Sequence, residues 1–244
     1  MTALTGRAWI VELRKAASTP ALVVALVLAM VSVPLSTLVV VNHNDPSGSL
    51  TAVRIATSTV LIPIIVFGLW GSYATTVEYE QGAIVGSLLA VPRRSAFYLA
   101  KVAAVASVTA TSVTLSLAGA VLVVLAATPA PGRATGQLWV LPLVGLVAAG
   151  VAAVGVAVGF LLRGSLISAI ALVLALLGPQ ALGPALGVAR RWVLGSGPGS
   201  LVSRAVGGSQ GVDVVGWPTG AAILLCVVAI TLVAGWRVFA RADH

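Results

Sequence analysis

The chain has 244 residues, of which 59% are hydrophobic and 8% are charged, and its mean hydropathy is +1.10. A soluble domain carries roughly 25% charged residues, so this composition excludes a soluble globular protein and indicates a polytopic membrane protein. The net charge of +8 does not indicate nucleic-acid binding, because the basic residues are scattered between apolar runs. A single cysteine, Cys226, excludes a disulfide framework and a thiolate metal site.

The first predicted element is an amphipathic helix from Ala3 to Ala17. This pattern is typical of a helix that lies in the membrane interface. A positively charged leader is the alternative, whereas a cleavable signal peptide is disfavoured by the long apolar run that follows. One face holds Trp9, Ile10, Leu13, Ala16 and Ala17, and the other holds Arg7, Glu12, Arg14 and Lys15, with Val11 as an exception.

Six apolar runs follow, so the predicted fold is an all-α integral membrane protein with six transmembrane helices in one domain, 1–244. The second run is expected to kink at Pro63. The third is too long for one perpendicular crossing. The fourth contains Gly155-x-x-x-Gly159, a spacing that permits close contact between helices. The predicted spans are 20–41, 55–77, 95–128, 138–162, 165–188 and 218–238.

The distribution of basic residues predicts the orientation in the plasma membrane. If both termini are cytoplasmic, nine Lys and Arg residues lie inside and five lie outside, which agrees with the positive-inside rule. The nine are Arg7, Arg14, Lys15, Arg93, Arg94, Lys101, Arg163, Arg237 and Arg241, and the five are Arg54, Arg133, Arg190, Arg191 and Arg204.

The most polar stretch between two apolar runs is VEYEQGAIVGSLLAVPRRSAFYLAK, Val77 to Lys101. Gln81 to Val91 predicts a short helix, because apolar residues recur at i, i+4 and i+7. Pro92 ends this helix, since it lacks an N–H and restricts the residue before it. The apolar face holds Ile84, Leu88 and Val91, with Val85 and Leu89 beside it, and the rest is small: Gly82, Ala83, Gly86, Ser87 and Ala90.

This stretch resembles the permease subunit of ABC-2 type transporters. The likeness is carried by a glutamate leaving an apolar span, then Tyr79-Glu80, Gly82, a leucine pair, Pro92-Arg93-Arg94 and Ala100-Lys101. It implies a cytoplasmic coupling helix between spans 2 and 3 that docks on a separate ATPase, and an elbow helix at the N-terminus. The residues implicated in coupling are Glu78, Glu80, Gly82, Ile84, Leu88, Leu89, Val91, Pro92, Arg93 and Arg94.

Several kinds of chemistry are absent from the sequence. No Gly-Lys-Ser/Thr occurs, so the chain has no phosphate-binding loop, and ATP hydrolysis requires another polypeptide. The two histidines, His43 and His244, lie in a loop and at the terminus, where a catalytic or metal site is not expected. Glu78 and Glu80 do not share a helical face and are predicted to be solvated charges at headgroup level. No cofactor is expected.

The predicted midpoints of the spans carry no charge, which argues against a proton-coupled transporter. Hydroxyl groups are then candidates for lining the substrate path, although such hydroxyls usually bond to the carbonyl one turn earlier. The two Gly-Pro pairs near the end of span 5 leave carbonyls without helical partners, and they predict a helix break, short extracellular helices before span 6, and an extracellular gate. The path candidates are Ser107, Thr111 and Thr114, and the gate candidates are Gly178, Pro179, Gly183 and Pro184.

The predicted function is the membrane-spanning permease subunit of an ATP-driven ABC-2 type exporter. The resemblance implies as partners two copies of a separate ATPase, a second permease copy that is identical or paralogous, and membrane lipid. No nucleic acid is expected. Two alternatives remain. One is a non-transporting immunity or sensor protein with the same fold, and the other is a membrane enzyme, which the missing catalytic groups disfavour.

Overall fold

A computed structural model describes residues 9–15, 18–43, 52–90, 93–127, 138–182, 185, 187, 189–206 and 215–241. Within these ranges the chain forms α-helices and short connections, without a β-strand. Seven residues of the predicted sites and faces lie outside the described residues. They are Arg7, Ala16, Ala17, Val91, Pro92, Gly183 and Pro184.

The helices follow one another with short connections wherever both flanking segments are described. In chain order they are α1 (9–15), α2 (Pro20–His43), α3 (Ala52–Ser58), α4 (Leu61–Glu80), α5 (Ala83–Ala90), α6 (Arg94–Ala127), α7 (Val140–Leu162), α8 (Ser165–Ala181), α9 (Arg190–Ser196), α10 (Pro198–Ala205) and α11 (Trp217–Arg241).

Five of these helices, α2, α4, α6, α7 and α11, are long and apolar enough to cross a membrane. The prediction of an all-helical, multi-pass membrane protein is therefore confirmed. α8 is apolar but has 17 residues, which corresponds to about 25 Å at 1.5 Å per residue and falls short of the hydrocarbon core of about 30 Å. A sixth crossing by α8 remains a prediction.

The second predicted span is divided into two helices. The short α3 ends at Ser58, residues 59 and 60 form a turn, and α4 begins at Leu61. The interruption follows from Pro63, whose ring conflicts with the carbonyl four residues earlier, at Thr59. The predicted kink thus lies just before the proline instead of at it.

α7 forms the centre of the bundle, with 67% of its apolar 18-residue stretch buried, and it packs against α4, α6, α8 and α11. Its glycines allow this packing. A Cβ added at Gly155 would overlap the carbonyl oxygen of Gly68 on α4, and one at Gly159 would lie 2.9 Å from the carbonyl oxygen of Ser72. The close contact predicted from the Gly155-x-x-x-Gly159 spacing is therefore confirmed.

Two side-chain hydrogen bonds to main-chain carbonyls join neighbouring spans. The indole Nε1 of Trp70 on α4 donates to the carbonyl of Leu22 on α2 at 3.1 Å, and the Tyr98 hydroxyl on α6 donates to the carbonyl of Leu232 on α11 at 2.8 Å. These bonds attach two peripheral helices to the bundle, because α2 and α11 bury only 17% and 11% of their apolar 18-residue stretches.

The break predicted in the fifth span is displaced along the chain. α8 continues through Gly178 and Pro179 to Ala181, and the N–H of Leu182 still donates to the carbonyl of Gly178 at 2.9 Å. Gly178 and Pro179 thus lie in the last turn of α8, and the helix ends at Ala181, between the two Gly-Pro pairs that predict the break. The helix also ends before Val188, the predicted limit of the span. Short helices α9 and α10 precede α11, as expected.

Gly155→Ala should lower the stability of the detergent-solubilised protein by about 1–3 kcal/mol, because the added methyl group forces α7 away from α4. Gly150→Ala is the matched control on the same helix. Its Cβ would meet Val228 at an ordinary 3.6 Å, and alanine favours helix over glycine. Thermal unfolding in detergent measures both variants, and equal melting temperatures would contradict the proposed close contact.

Candidate functional site

One end of the bundle gathers most of the described charged side chains. At this end, called the polar end below, α4 ends at Glu80, α6 begins at Arg94, and α7 is followed by Arg163. The short helices α1 and α5 lie against the same end, because residues of both contact Glu78 or its ion-pair partners. The polar end is thus where segments outside the long spans meet the spans.

Four charged residues form one connected group, called the ion cluster: Glu12, Lys15, Glu78 and Lys101. Lys101 Nζ lies 2.9 Å from Glu12 Oε2 and 2.7 Å from Glu78 Oε1. Lys15 Nζ lies 3.1 Å from Glu12 Oε1 and 3.2 Å from Glu78 Oε1. Each ammonium group therefore bridges two carboxylates, and α1, α4 and α6 are joined through charge.

Three of the four residues of the ion cluster are buried, and the Lys15 side chain is 39% exposed. Lys101 is 2% exposed, and Glu12 and Glu78 are each 8% exposed. Burying such charges is costly unless they are paired and hydrogen-bonded, and here two cations balance two anions. The prediction that Glu78 is a solvated charge is therefore wrong, whereas Glu80 is exposed as predicted.

The pKa values of the two cluster groups on α1 follow from this pairing. Burial of the Glu12 carboxyl raises its pKa, but Lys101 and Lys15 outweigh burial and hold that pKa below the ordinary 4.5. Burial lowers the pKa of Lys15, but Glu12 and Glu78 outweigh it and hold that pKa above 10.5. The Glu12 contribution to stability is lost as pH falls below 4.5, and the Lys15 contribution is lost as pH rises above 10.5. Both are complete at neutral pH.

Aromatic rings lie beside the ion cluster. The Lys101 and Lys15 ammonium groups lie 5.3 and 5.9 Å from the centroid of the Phe97 ring, within the range of cation–π attraction. Phe97 in turn contacts Phe160 on α7 and Phe239 on α11, at centroid distances of 6.4 and 5.9 Å. The cations are thus held by carboxylates and by a ring packed between three helices.

The short helix α5 begins after a turn at Gly82, whose φ of 65° suits glycine. Its two apolar sides have different surroundings. Ile84 is 5% exposed and Leu88 packs partly against the core, while Leu89 is 80% exposed and Val85 is 52% exposed. Ile84, which lies on the predicted apolar face of the coupling helix, is therefore already buried within this chain and is not available to a partner.

α5 is hydrogen-bonded to the ion cluster. Lys15 Nζ donates to the hydroxyl oxygen of Ser87 at 2.9 Å, in addition to its two carboxylate contacts. A second hydrogen bond joins the end of α4 to α8. Glu80 Oε1 accepts it, at 2.9 Å, from the backbone N–H of Ser165, which is the first residue of α8. A carboxylate at a helix N-terminus accepts a hydrogen bond from a free N–H and interacts favourably with the positive end of the helix dipole. The polar end therefore connects α5 to α1, α4, α6 and, through Glu80, to α8.

The remaining predicted coupling residues lie nearby without joining the ion cluster. Arg93 is exposed, and Arg94 Nη1 donates to the carbonyl of Ala240 on α11 at 3.0 Å. Glycine at position 82 leaves open space where a Cβ would stand, as does Gly86. This side of α5 therefore presents main chain and small side chains to its surroundings.

The three path candidates on α6 do not converge on the polar end. Their hydroxyls donate to carbonyls one turn earlier: Ser107 to Ala104 at 3.0 Å, Thr111 to Ser107 at 2.8 Å and Thr114 to Ala110 at 2.7 Å. These hydroxyls therefore bond within their own helix, as is usual for Ser and Thr in helices. Among the described residues, no group of three His, Cys, Asp or Glu side chains could hold a metal ion.

Sequence reasoning missed the ion cluster, although a signal was present. The chain has only two lysines and three glutamates, and the cluster contains both lysines and two of those glutamates. Glu12 and Lys15 stand three residues apart, which places them on one helical face. Such scarce charges, close in sequence to apolar spans, indicate pairing across helices.

Lys101→Met removes a buried cation and leaves two carboxylates with Lys15 alone. We expect a loss of about 3–5 kcal/mol in stability, because the uncompensated charge stays buried. Thermal unfolding of the solubilised protein, followed by tryptophan fluorescence, measures the loss. Arg237→Met is the matched control, since Arg237 is exposed near the same end, and it should change stability by less than about 0.5 kcal/mol.

The double variant Lys101→Met, Glu78→Gln separates charge imbalance from lost packing. It removes one charge of each sign and should recover part of the lost stability, as a double-mutant cycle would reveal. If the double variant is no more stable than Lys101→Met alone, electrostatic pairing does not explain the cluster's contribution.

Comparison with known proteins assigns the family. The model of the family described as ABC-2 family transporter protein matches residues 11–178, from α1 to the last turn of α8. A search of curated proteins finds no match to the chain. The matched region covers more than two thirds of the chain and contains the whole ion cluster and α5. The chain belongs to the ABC-2 family of transporter proteins.

Proposed function

We propose that this chain is the membrane-spanning permease subunit of an ATP-driven exporter and that a separate ATPase subunit docks on α5. Membership of the ABC-2 transporter family supports a permease role and an ATPase partner in general. The observation that carries the specific proposal is the exposed apolar side of α5, a helix of eight residues that is too short to span the membrane.

The proposed docking surface consists of Gly82, Val85, Gly86 and Leu89. Leu89 is 80% exposed although α5 lies at the polar end. Burying a leucine side chain fully is worth about 1.5–3 kcal/mol, so a partner that covers Leu89 gains this energy. Gly82 and Gly86 leave open space around their main chain, which permits a close approach.

The other side of α5 supports transmission of movement to the spans. Ile84 is buried in the core of this chain, and Ser87 accepts a hydrogen bond from Lys15. A displacement of α5 by a partner therefore acts on the ion cluster, and through it on α1, α4 and α6. A buried and charge-paired junction resists shear, because separating its charges leaves them desolvated and unpaired.

In the proposed working unit, two permease copies, identical or paralogous, associate with two ATPase subunits. Both termini and α5 face the cytoplasm, and α1 serves as the elbow helix at the interface. ATP binding closes the ATPases, and α5 passes this movement to the spans and favours outward release of substrate. The apolar, mostly exposed faces of α2 and α11 are available for lipid and for the second copy.

Leu89→Asp should abolish co-purification of the ATPase with the tagged permease and reduce export to the same extent. The physical reason is that a carboxylate at the centre of the docking surface is desolvated without a partner, which costs more than the roughly 2–7 kcal/mol of an unpaired neutral polar group. Membrane insertion and melting temperature should be unchanged, because Leu89 is exposed in the free chain.

Ser95→Asp is the control for added charge, since Ser95 is exposed in the first turn of α6 and does not belong to the docking surface. It should retain the ATPase. A Leu89→Asp protein that keeps both its ATPase and full export would refute docking on α5. Retention of the ATPase by the wild type without any transport would instead favour the non-transporting sensor or immunity protein.

The proposed orientation is tested by thiol labelling in a Cys226→Ala background. Ser95→Cys, at the polar end, should react with an impermeant reagent only after the membrane is opened. Gly216→Cys, which precedes α11 and is exposed, should react on intact cells. Reaction of Ser95→Cys from outside would reverse the orientation, and with it the placement of α5 on the ATPase side.

A further inference from the structure

A cavity of about 550 Å³ lies at the end of the bundle opposite the ion cluster. Its walls are the junction of α3 and α4, the middle of α7, the second half of α8, the short helices α9 and α10, and the first half of α11. Its volume lies within the range of about 300–1,000 Å³ that is typical of ligand sites. Neither the docking surface nor the ion cluster contributes to its lining.

The lining is uncharged among the described residues, and its hydroxyl groups are already occupied. Each hydroxyl donates to a main-chain carbonyl within three to five residues. A ligand that needs a charged partner or a side-chain hydroxyl donor is therefore poorly matched to this cavity. The five residues concerned are Thr57, Ser58, Ser196, Ser200 and Ser203.

The mouth of the cavity lies among lipid-facing helix surfaces. Three residues line the cavity and are exposed, namely Ser58 at the end of α3, Ala175 on α8 and Val227 on α11. On the same helix, α11, Leu225 and Ile230 are each 68% exposed, and α11 is apolar enough to cross the membrane. The cavity is thus reached from the surroundings of the spans, which in a membrane are hydrocarbon.

The far wall of the cavity is fixed by hydrogen bonds from two side chains to main-chain carbonyls. The Arg204 guanidinium on α10 donates to the carbonyls of Gly195 and Val215, and Trp217 Nε1 on α11 donates to the carbonyl of Leu201 at 3.1 Å. These contacts hold α9 and α10 against the start of α11. The cavity is therefore formed before any ligand enters, which lowers the ordering cost of binding.

We propose that this cavity is a binding site for a single alkyl chain, supplied by a bilayer lipid or by a free fatty acid. An alkyl chain matches the uncharged lining, the occupied hydroxyls and the mouth among lipid-facing surfaces. An alkyl chain needs no hydrogen bond from the cavity wall. When it moves from the bilayer into the cavity it stays in apolar surroundings, so the binding energy comes from close packing against the preformed wall. The site does not depend on the ATPase, so it stands apart from the proposed coupling function.

The test uses the purified chain in lipid nanodiscs without an ATPase. One sample contains a trace of phospholipid with a diazirine at the end of one acyl chain, and another contains a free fatty acid with the same group. After irradiation, mass spectrometry compares adducts at Leu194, which lines the cavity, with adducts at Ile230, which is exposed on α11 and does not line it. The ratio of the two reports occupancy relative to contact with bulk hydrocarbon.

Ala175→Phe adds a ring at the mouth of the cavity and should lower the Leu194 to Ile230 ratio about tenfold. Ala229→Phe is the matched control, because Ala229 is exposed on α11 outside the lining, and it should leave the ratio unchanged. Leu176→Ala enlarges the cavity, since Leu176 lines it, and should keep the ratio at or above that of the wild type.

Labelling of Leu194 by the phospholipid, lost in Ala175→Phe, supports an acyl chain of the bilayer as the occupant. Labelling by the fatty acid alone supports a free single-chain amphiphile. The proposal is overturned if neither probe labels Leu194, or if Ala175→Phe and the wild type give the same ratio. Neither result bears on docking of the ATPase, which this experiment omits.

Discussion

The polar end depends on keeping three buried charges paired, with the half-exposed Lys15 as the fourth member of the ion cluster. An ammonium group that is 2% exposed, such as that of Lys101, is tolerated only because carboxylates from two other helices contact it directly. Glu12 and Glu78 therefore fix α1 and α4 relative to α6, and Lys15 extends the same network to Ser87 on α5. No apolar contact imposes so strict a requirement, because losing one partner leaves a desolvated charge.

Close packing at α7 provides the second constraint. Its glycines bring main chains together, so that α4 and α7 cannot separate or slide without losing many contacts at once. The central pair thus behaves as a rigid unit, while α2 and α11 present apolar surface to their surroundings. A rigid centre with charged connections at one end is suited to passing a displacement of α5 along the spans, as the proposed coupling requires.

The two ends of the bundle differ in chemistry. The polar end joins its helices through ion pairs, cation–π contacts and a buried Ile84, and leaves Leu89 exposed. The opposite end joins α9, α10 and α11 through the Arg204 guanidinium and main-chain carbonyls, around an uncharged cavity. A partner protein and an alkyl chain are thus matched to different ends, and each proposal is tested without the other.

The sequence by itself determined the membrane class, the apolar helices, the short helix α5 and the glycine contact on α7, because each follows from local composition or helical periodicity. Tertiary structure decided the rest. Lys101 and Glu12 are 89 residues apart, and no local pattern specifies which helices meet. The same limit explains α5, where periodicity identified one apolar face with Leu89 beside it, but packing decided that Ile84 is buried and Leu89 is exposed. It also explains why the burial of Glu78 was not predicted, because a charge next to a span is solvated or buried according to which neighbouring helix brings an opposite charge.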